Sequence, residues 1–135
     1  MDTVLFACVH NAGRSQMAAA WFNKLCEPKK AIAISAGTQP GERVHHGVVE
    51  AMLEVGIDLS TVKPRLLTSE VAQRATLLVT MGCGDACPYV PGLQKLDWPL
   101  QDPKGQPIEV VRKIRVEIRQ RVLDLAKERH WLRNG

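Results

Sequence analysis

Short apolar runs alternate along the chain with segments in which apolar residues recur at helical spacing. The runs are typical of strands covered on both faces, and the spaced segments predict amphipathic helices. The predicted strands are residues 4–9, 31–35, 76–81 and, with a weaker pattern, 94–98. The predicted helices are residues 15–25, 46–55, 67–73 and about 108–130. This alternation predicts the α/β fold class, with a parallel sheet and right-handed crossovers.

A length of 135 residues suffices for one domain with a real core, so we expect a single domain over residues 1–135. Ligands of parallel α/β sheets bind beyond the carboxyl ends of the strands. Cys8 lies near the end of the first predicted strand, residues 81–83 lie at the end of the third, and the loop after Trp98 follows the fourth. The chemically unusual residues therefore gather at the edge where this architecture places its ligand site.

The formal net charge of +4 is unevenly distributed. From Arg112 onward there are eight Lys and Arg against three Asp and Glu, whereas the preceding residues carry ten against eleven. The excess belongs to the last predicted helix, where arginines fall between regularly spaced apolar residues: Val111, Ile114, Ile118, Val122 and Leu125. We interpret this segment as an amphipathic helix with a solvated basic face, and a platform for an acidic partner is the alternative. We therefore expect no nucleic-acid partner.

Three observations predict a cytoplasmic protein with reduced thiols and no membrane association. Met1 to Thr3 leads directly into the first predicted strand, without a basic segment or cleavage site. No apolar stretch reaches the length of a membrane span. Four unevenly spaced cysteines are too few for a secreted disulfide framework.

The segment CVHNAGRS, residues 8–15, joins the first predicted strand to the first predicted helix. Backbone N–H groups can converge in such a loop beside the helix N-terminus, where an oxyanion binds. Gly13 permits a backbone conformation that a side chain would hinder, and Asn11 tolerates left-handed geometry. Arg14 offers a planar fork for two oxygens of a tetrahedral anion. The predicted anion-binding residues are Val9, His10, Asn11, Ala12, Gly13, Arg14 and Ser15.

Cys8 would lie beneath the bound anion. The N–H groups and the helix dipole favour its thiolate, which is the nucleophilic form, and Ser15 could donate a hydrogen bond to the sulfur. The spacing is the C-x5-R-S pattern of phosphatase-type anion loops, and its position between a buried strand and a helix makes the signal specific. The alternative is that Cys8 is simply a buried apolar residue, as free cysteines often are.

Two further constellations follow later strands. Cys83 and Cys87 are four residues apart, are flanked by glycines, and can form a disulfide if the segment moves. We interpret them as a redox pair. A zinc site, which would need further ligands, and a structural or idle pair are the alternatives. Asp102, in the loop after the fourth predicted strand, could protonate a leaving oxygen at the anion site.

The chain resembles arsenate reductases built on the low-molecular-weight tyrosine phosphatase fold. The resemblance runs from about residue 3 to 130, in the stretches CVHNAGRSQMA, SAGT, GID, KPRLLT, VTMGCGDACP and DWPLQDP. It implies a three-layer α/β/α fold with a four-stranded parallel sheet. It also implies reduction of arsenate to arsenite without a cofactor or metal. In that reaction Cys8 is the nucleophile, Arg14 binds the anion, Asp102 is the acid, and Cys83 and Cys87 are the redox cysteines.

The three cysteines predict a relay. Cys8 attacks arsenate, Cys83 then releases arsenite by forming a disulfide with Cys8, and Cys87 regenerates Cys8 by pairing with Cys83. Thioredoxin, glutaredoxin or a low-molecular-weight thiol would supply the electrons, and phosphate or sulfate would mimic the substrate. Direct attack of a low-molecular-weight thiol on the arsenate adduct is the competing route.

Three positions depart from the family pattern. His10 stands where relatives usually have glycine, and the short spacing of Cys83 and Cys87 leaves the electron donor open. Lys104 follows Asp102-Pro103, where phosphatases of this fold commonly have an aromatic residue, and the chain has only one Tyr and two Phe. A low-molecular-weight protein tyrosine phosphatase is the alternative enzyme. A non-catalytic thiol sensor of arsenite or metal is the alternative outside the enzymes.

Overall fold

The structure is a computed structural model that describes residues 1–82 and 90–133, so the predicted redox pair, Cys83 and Cys87, lies outside the described residues. The strands are β1 (Asp2–Cys8), β2 (Ala31–Gly37), β3 (Leu77–Thr80) and β4 (Gln94–Asp97). The helices are α1 (Arg14–Leu25), α2 (His46–Leu53), α3 (Ser69–Gln73) and α4 (Ile108–Arg129). Every predicted strand and helix is present, with its ends displaced by at most a few residues.

The strands form one parallel sheet in the order β2-β1-β3-β4, which confirms the predicted four-stranded parallel sheet. In the register, Ala7 of β1 pairs with Thr80 of β3, and Thr80 pairs with Asp97 of β4. The carboxyl ends of these three strands therefore meet at one edge of the sheet. The loops that follow them are neighbours, although they are far apart in sequence.

The sheet lies between two layers of helices. On one face, Val4 and Phe6 join the main apolar core together with α1, α2 and α4. On the other face, Leu5 and Ala7 pack in a smaller cluster with Ala72 of α3. Successive side chains of a strand point to opposite faces, so the continuous apolar run of β1 supplies both cores. This is the predicted three-layer α/β/α fold.

The apolar stripe predicted for α4 faces the main core. Its members are at most 5% exposed: Val111, Ile114, Ile118, Val122 and Leu125. The arginines between them lie on the remaining surface of the helix, as the amphipathic pattern predicts. Within the described part of the chain, no helix is long and apolar enough to cross a membrane.

Local chemistry explains where the elements end. The Thr68 hydroxyl caps α3 by accepting a hydrogen bond from the Val71 N–H at 3.1 Å. Helix α2 ends at Leu53, earlier than predicted, because the N–H groups of Val55 and Gly56 bond to carbonyls three residues back. The chain then turns at Gly56, whose φ of +82° favours glycine. Strand β1 ends at Cys8. The next carbonyl, that of Val9, accepts a hydrogen bond from the Gln39 N–H, which lies beyond the end of β2.

Candidate active site

The loop between β1 and α1 turns all five of its carbonyl groups outward. Each carbonyl of residues 9–13 accepts a hydrogen bond of 2.8–3.0 Å. The donors are, in order, Gln39 N, Gly41 N, Gln16 Nε2, His45 N and Met17 N. A trans peptide unit places its C=O and N–H on opposite sides, so the N–H groups of residues 10–14 face the other way. A set of N–H groups on the side of a loop opposite its bonded carbonyls is of the kind that binds an oxyanion.

Two residues of this loop need their particular backbone freedom. Asn11 has a φ of +50°, in the left-handed region that asparagine tolerates better than most residues. A Cβ atom on Gly13 would lie 2.8 Å from Cγ of Pro103, so only glycine allows the post-β4 loop to approach this closely. The fold thereby brings Pro103, which follows Asp102 in the sequence, against the anion loop.

Cys8 is a free thiol at the base of the loop and is 3% exposed. Its Sγ lies 2.8 Å from the Ser15 Oγ. The side-chain nitrogen of Asn11, Nδ2, donates a hydrogen bond to the same Ser15 oxygen at 2.8 Å. Because the Ser15 oxygen accepts from Asn11, its own hydrogen is available for the Cys8 sulfur. This chain of donors stabilises a thiolate at Cys8.

Two residues that hold Asn11 were not among the predicted site residues. Its side-chain oxygen accepts hydrogen bonds from Gln16 Nε2 at 3.1 Å and from the Arg65 N–H at 3.0 Å. Asn11 is fully buried, so both bonds replace contacts with water that folding removes. The sequence offered a signal for the role of Gln16, since a polar residue beside the apolar face of α1 needs a hydrogen-bond partner when it is buried. Arg65 contributes a backbone atom and carried none.

Arg14 begins α1, and its side chain is only 10% exposed. Its Nη1 donates to two backbone carbonyls, that of Met81 at 2.7 Å and that of Leu100 at 3.1 Å. Its Nη2 lies 3.8 Å from Oδ2 of Asp102, whose side chain is 46% exposed. The guanidinium is thus fixed in place mainly by neutral acceptors. Its charge is available to an anion in the loop.

A histidine that the sequence analysis assigned to no role also lies here. His45 donates its backbone N–H to the Ala12 carbonyl, and its Cδ2 would be 3.5 Å from a Cβ on Gly13. Burial lowers the pKa of His45, as do the charges of Lys104 and His10, while Asp102 opposes the shift. His45 therefore borders the anion loop in its neutral form near neutral pH.

His10 is the second residue after Cys8 in the anion loop. Its Nδ1 lies 3.0 Å from the Gln39 carbonyl oxygen. A carbonyl oxygen only accepts hydrogen bonds, so Nδ1 carries the hydrogen in this contact. The ring is thereby turned toward the segment after β2.

The structure brings together Cys8, Arg14, Asp102 and the predicted anion-binding residues. It does not describe Cys83 and Cys87, so their pairing stays a prediction. Among residues 1–82 and 90–133, no group of three or more His, Cys, Asp or Glu side chains could hold a metal ion. The arrangement can bind a tetrahedral oxyanion next to a thiol nucleophile, with a carboxyl group at its rim.

Comparisons with known proteins agree with this geometry. The family model described as low molecular weight phosphotyrosine protein phosphatase matches residues 3–130. A Halobacterium salinarum protein with a provisional arsenate reductase name is 40% identical over 127 residues, which cover 91% of this chain and 89% of that protein.

Two solved structures are similar to this chain. A thioredoxin-dependent arsenate reductase from Corynebacterium glutamicum has a TM-score of 0.80 and 38% identity, covering 95% of this chain and 61% of that one. An arsenate reductase in a phosphate-binding state has a TM-score of 0.80 and 33% identity, covering 95% of this chain and 98% of that one.

Proposed function

The chain belongs to the low molecular weight phosphotyrosine protein phosphatase family, and on that premise we propose that it is an arsenate reductase with Cys8 as its nucleophile. The observation that carries the proposal is the free Cys8 thiol at the base of a loop whose carbonyls all turn outward. The similarity to named arsenate reductases selects arsenate among the tetrahedral anions that such a loop accepts.

Substrate binding uses the N–H groups of residues 10–14 and the guanidinium of Arg14. Arsenate is a tetrahedral anion, and phosphate and sulfate have the same shape and mimic it. The phosphate-binding state of a similar arsenate reductase supports this choice of ligand. Nη1 of Arg14 is held by carbonyls, so the remaining edge of the guanidinium is preorganised for two anion oxygens.

In the first chemical step, the Cys8 thiolate attacks arsenic and an oxygen leaves as water. Ser15 donates to the sulfur before the attack and stabilises the thiolate. Asp102, at the rim beside Arg14, supplies the proton that the leaving oxygen needs. The product is a Cys8–arsenate adduct in which arsenic is still pentavalent.

In the second step, the Cys83 thiol attacks the sulfur of Cys8. The pair of electrons in the sulfur–arsenic bond passes to arsenic, which leaves as trivalent arsenite, and a Cys8–Cys83 disulfide forms. Cys87 then attacks Cys83, which frees the Cys8 thiol and leaves a Cys83–Cys87 disulfide. Two thiols are oxidised for each arsenate reduced, so one external dithiol, or two monothiols, must return the electrons.

Thioredoxin is the first candidate for the electron donor, because a similar solved structure is named as thioredoxin-dependent. Glutaredoxin and low-molecular-weight thiols are the other candidates. The test incubates the purified protein with arsenate and each reducing system in turn and measures arsenite. We expect arsenite with the wild-type protein and none with Cys8→Ser.

Cys26→Ser is the matched control. Cys26 is fully buried and far from the loop, at the end of α1, and burial raises the pKa of its thiol to about 11. We expect Cys26→Ser to keep the wild-type rate. Cys87→Ser, treated with arsenate and mapped by mass spectrometry without reductant, should accumulate a Cys8–Cys83 crosslink. Full multiple turnover by that variant without a crosslink would contradict the relay.

A phosphatase is the second candidate function, because the family model itself describes phosphatases and the loop does not distinguish phosphate from arsenate. Lys104 is exposed after Pro103, and Phe6 and Phe22 are both fully buried in the core. Within the described residues, no phenylalanine or tyrosine ring is therefore free to line a slot for phosphotyrosine. Hydrolysis of an aryl phosphate at a rate above that of arsenate reduction would make phosphatase the preferred function.

A further inference from the structure

A side-chain pair without a role so far lies at the reacting edge of the sheet. Thr80 ends β3, Asp97 ends β4, and the two residues are partners in the register. The Thr80 hydroxyl donates to Oδ1 of Asp97 at 2.6 Å, and the same oxygen accepts a longer contact of 3.4 Å from the Gly82 N–H. Thr80 is fully buried. One carboxylate oxygen thus ties together the end of β3 and the turn that follows it.

The same turn holds Arg14. The Met81 carbonyl accepts the 2.7 Å hydrogen bond from Arg14 Nη1, and a Cβ on Gly82 would lie 3.2 Å from that nitrogen. Gly82 has a φ of +84°, which glycine adopts without strain. The position of the guanidinium and the course of the chain at Gly82 are therefore set by one short piece of backbone.

We propose that Asp97 is a positioning residue for arsenate reduction. Its carboxylate fixes the Met81–Gly82 turn, which holds Arg14 and directly precedes Cys83 in the sequence. Thr80 is fully buried, so its hydroxyl depends on Asp97 as its short hydrogen-bond acceptor, although Asp97 itself is exposed. The inference rests on the proposed function, because Cys83 acts in that relay.

The two effects of losing Asp97 differ in size. When the turn loosens, Arg14 keeps the Leu100 carbonyl at 3.1 Å, so the anion loop stays largely intact. The Gly82 N–H, in contrast, loses its contact with the carboxylate. We expect Asp97→Ala to slow arsenite release in a single turnover about tenfold or more. The phosphate concentration that half-protects Cys8 from alkylation should change by less than about threefold.

The amino end of the same strands provides a matched control. There the Thr76 hydroxyl donates to Oδ1 of Asp2 at 3.0 Å, which is the same kind of bond between the same two types of residue. Asp2→Ala removes this carboxylate at the end of the sheet opposite the site. Thr80→Val should reproduce the loss seen in Asp97→Ala. Asp97→Asn keeps an oxygen acceptor and should recover most of the rate.

The experiment measures single-turnover arsenite release, phosphate protection of Cys8 and the Tm of each variant. A wild-type protein that forms no arsenite contradicts the proposed function. If the wild-type protein is active and Asp97→Ala matches Asp2→Ala in release rate, the positioning role is wrong. A tenfold loss in Asp97→Ala and Thr80→Val, absent in Asp2→Ala at comparable Tm and reversed in Asp97→Asn, supports it.

Discussion

Arginine serves the anion loop and the last helix in opposite ways. Arg14 is buried, donates to two backbone carbonyls, and has its nearest carboxylate, that of Asp102, 3.8 Å away. On α4, Arg112 and Arg115 each form a 2.7 Å ion pair with Glu54. Strong hydrogen bonds thus hold all three arginines, but only Arg14 is held chiefly by neutral partners.

The other arginines of α4 are also engaged with the protein itself. Arg121 pairs with Glu117 at 3.3 Å, and Arg119 lies 5.5 Å from the ring centroid of Trp21. These arginines of α4 are thus engaged in contacts with other groups of the protein surface. An anion site forms where a fixed cation keeps its charge unneutralised and backbone N–H groups converge. We therefore expect the position of the charges, rather than their number, to decide anion binding.

The largest effect that tests this contrast is expected from Arg14→Lys. An ammonium group keeps the charge but cannot hold two carbonyls and present a planar edge to the anion. We expect kcat/KM for arsenate to fall about 100-fold or more. Arg115→Lys is the control, because the Arg115 side chain is 15% exposed and donates both to Glu54 and to the Ala51 carbonyl, outside the anion loop. Equal losses in the two variants would show that total charge, and not its position, controls the reaction.

The next effect concerns the rim of the loop. Asp102→Asn removes the proposed proton donor, so we expect the single-turnover rate of adduct formation to fall about 100-fold. Phosphate should bind as tightly as before or more tightly, because the variant also removes a negative charge 3.8 Å from Arg14. The measurement pairs rapid-quench kinetics with calorimetry. Asp124→Asn on α4 is the control, and unchanged chemistry in Asp102→Asn excludes that residue from the mechanism.

A smaller effect is expected from His45, whose pKa is lowered by burial and by Lys104 and His10 and is raised by Asp102. A bound dianion favours the imidazolium, so binding raises this pKa and takes up a proton. Affinity for the anion should therefore increase as the pH falls through the range below 6.5.

Sulfate is the suitable probe, because it keeps its double charge over this range. Calorimetry with Cys8→Ser protein should show that sulfate affinity increases roughly threefold as the pH falls below 6.5. This is less than the tenfold change that a shift of one full pKa unit would give. His45→Asn should abolish the change, and His46→Asn, which alters an exposed neighbour, should keep it. A pH dependence that survives in His45→Asn must come from another group.

The sequence predicts the anion loop better than it predicts the contacts that hold it. The run before Cys8 specifies a buried strand, and the glycine and asparagine after it specify a tight loop, because these are local preferences. Arg14, in contrast, is held by the carbonyls of Met81 and Leu100, which are 67 and 86 residues away. Every residue type carries a carbonyl, so no pattern of side chains signals such a contact.

The same limit applies to the contacts that His45 and Asp97 make. His45 reaches the loop through its backbone N–H, and Asp97 reaches Thr80 only because the strand order places β4 beside β3. Alternating strands and helices predict a parallel sheet but do not by themselves fix which strands are neighbours. The amphipathic pattern of α4 was sufficient to place its apolar stripe in the core. It did not identify the ion pairs with Glu54, which lies in another element.

The smallest expected effect comes from that ion pair. Hydrogen bonds from Arg112 and Arg115 lower the pKa of Glu54 from 4.5 to about 2. A carboxylate with a lowered pKa stabilises the fold above the unfolded value of 4.5, and this contribution is lost as the pH falls from 4.5 toward 2. Glu54→Gln should therefore have a slightly lower Tm than the wild-type protein at pH 7 and the same Tm near pH 2. The difference should shrink in high salt, because the pair is exposed.

Glu54→Gln also tests the contrast from the side of the helix. It releases Arg112 and Arg115 from their ion pairs, which increases the free positive charge of α4 without touching the loop. If position decides anion binding, sulfate affinity and arsenate turnover should stay at wild-type values. If sulfate binds Glu54→Gln more tightly or at a second site, the freed arginines of α4 can also bind an anion. In the wild-type protein α4 would then differ from the anion loop only because Glu54 neutralises its charge. Calorimetric stoichiometry distinguishes these results, because a second site raises the number of bound sulfates per chain.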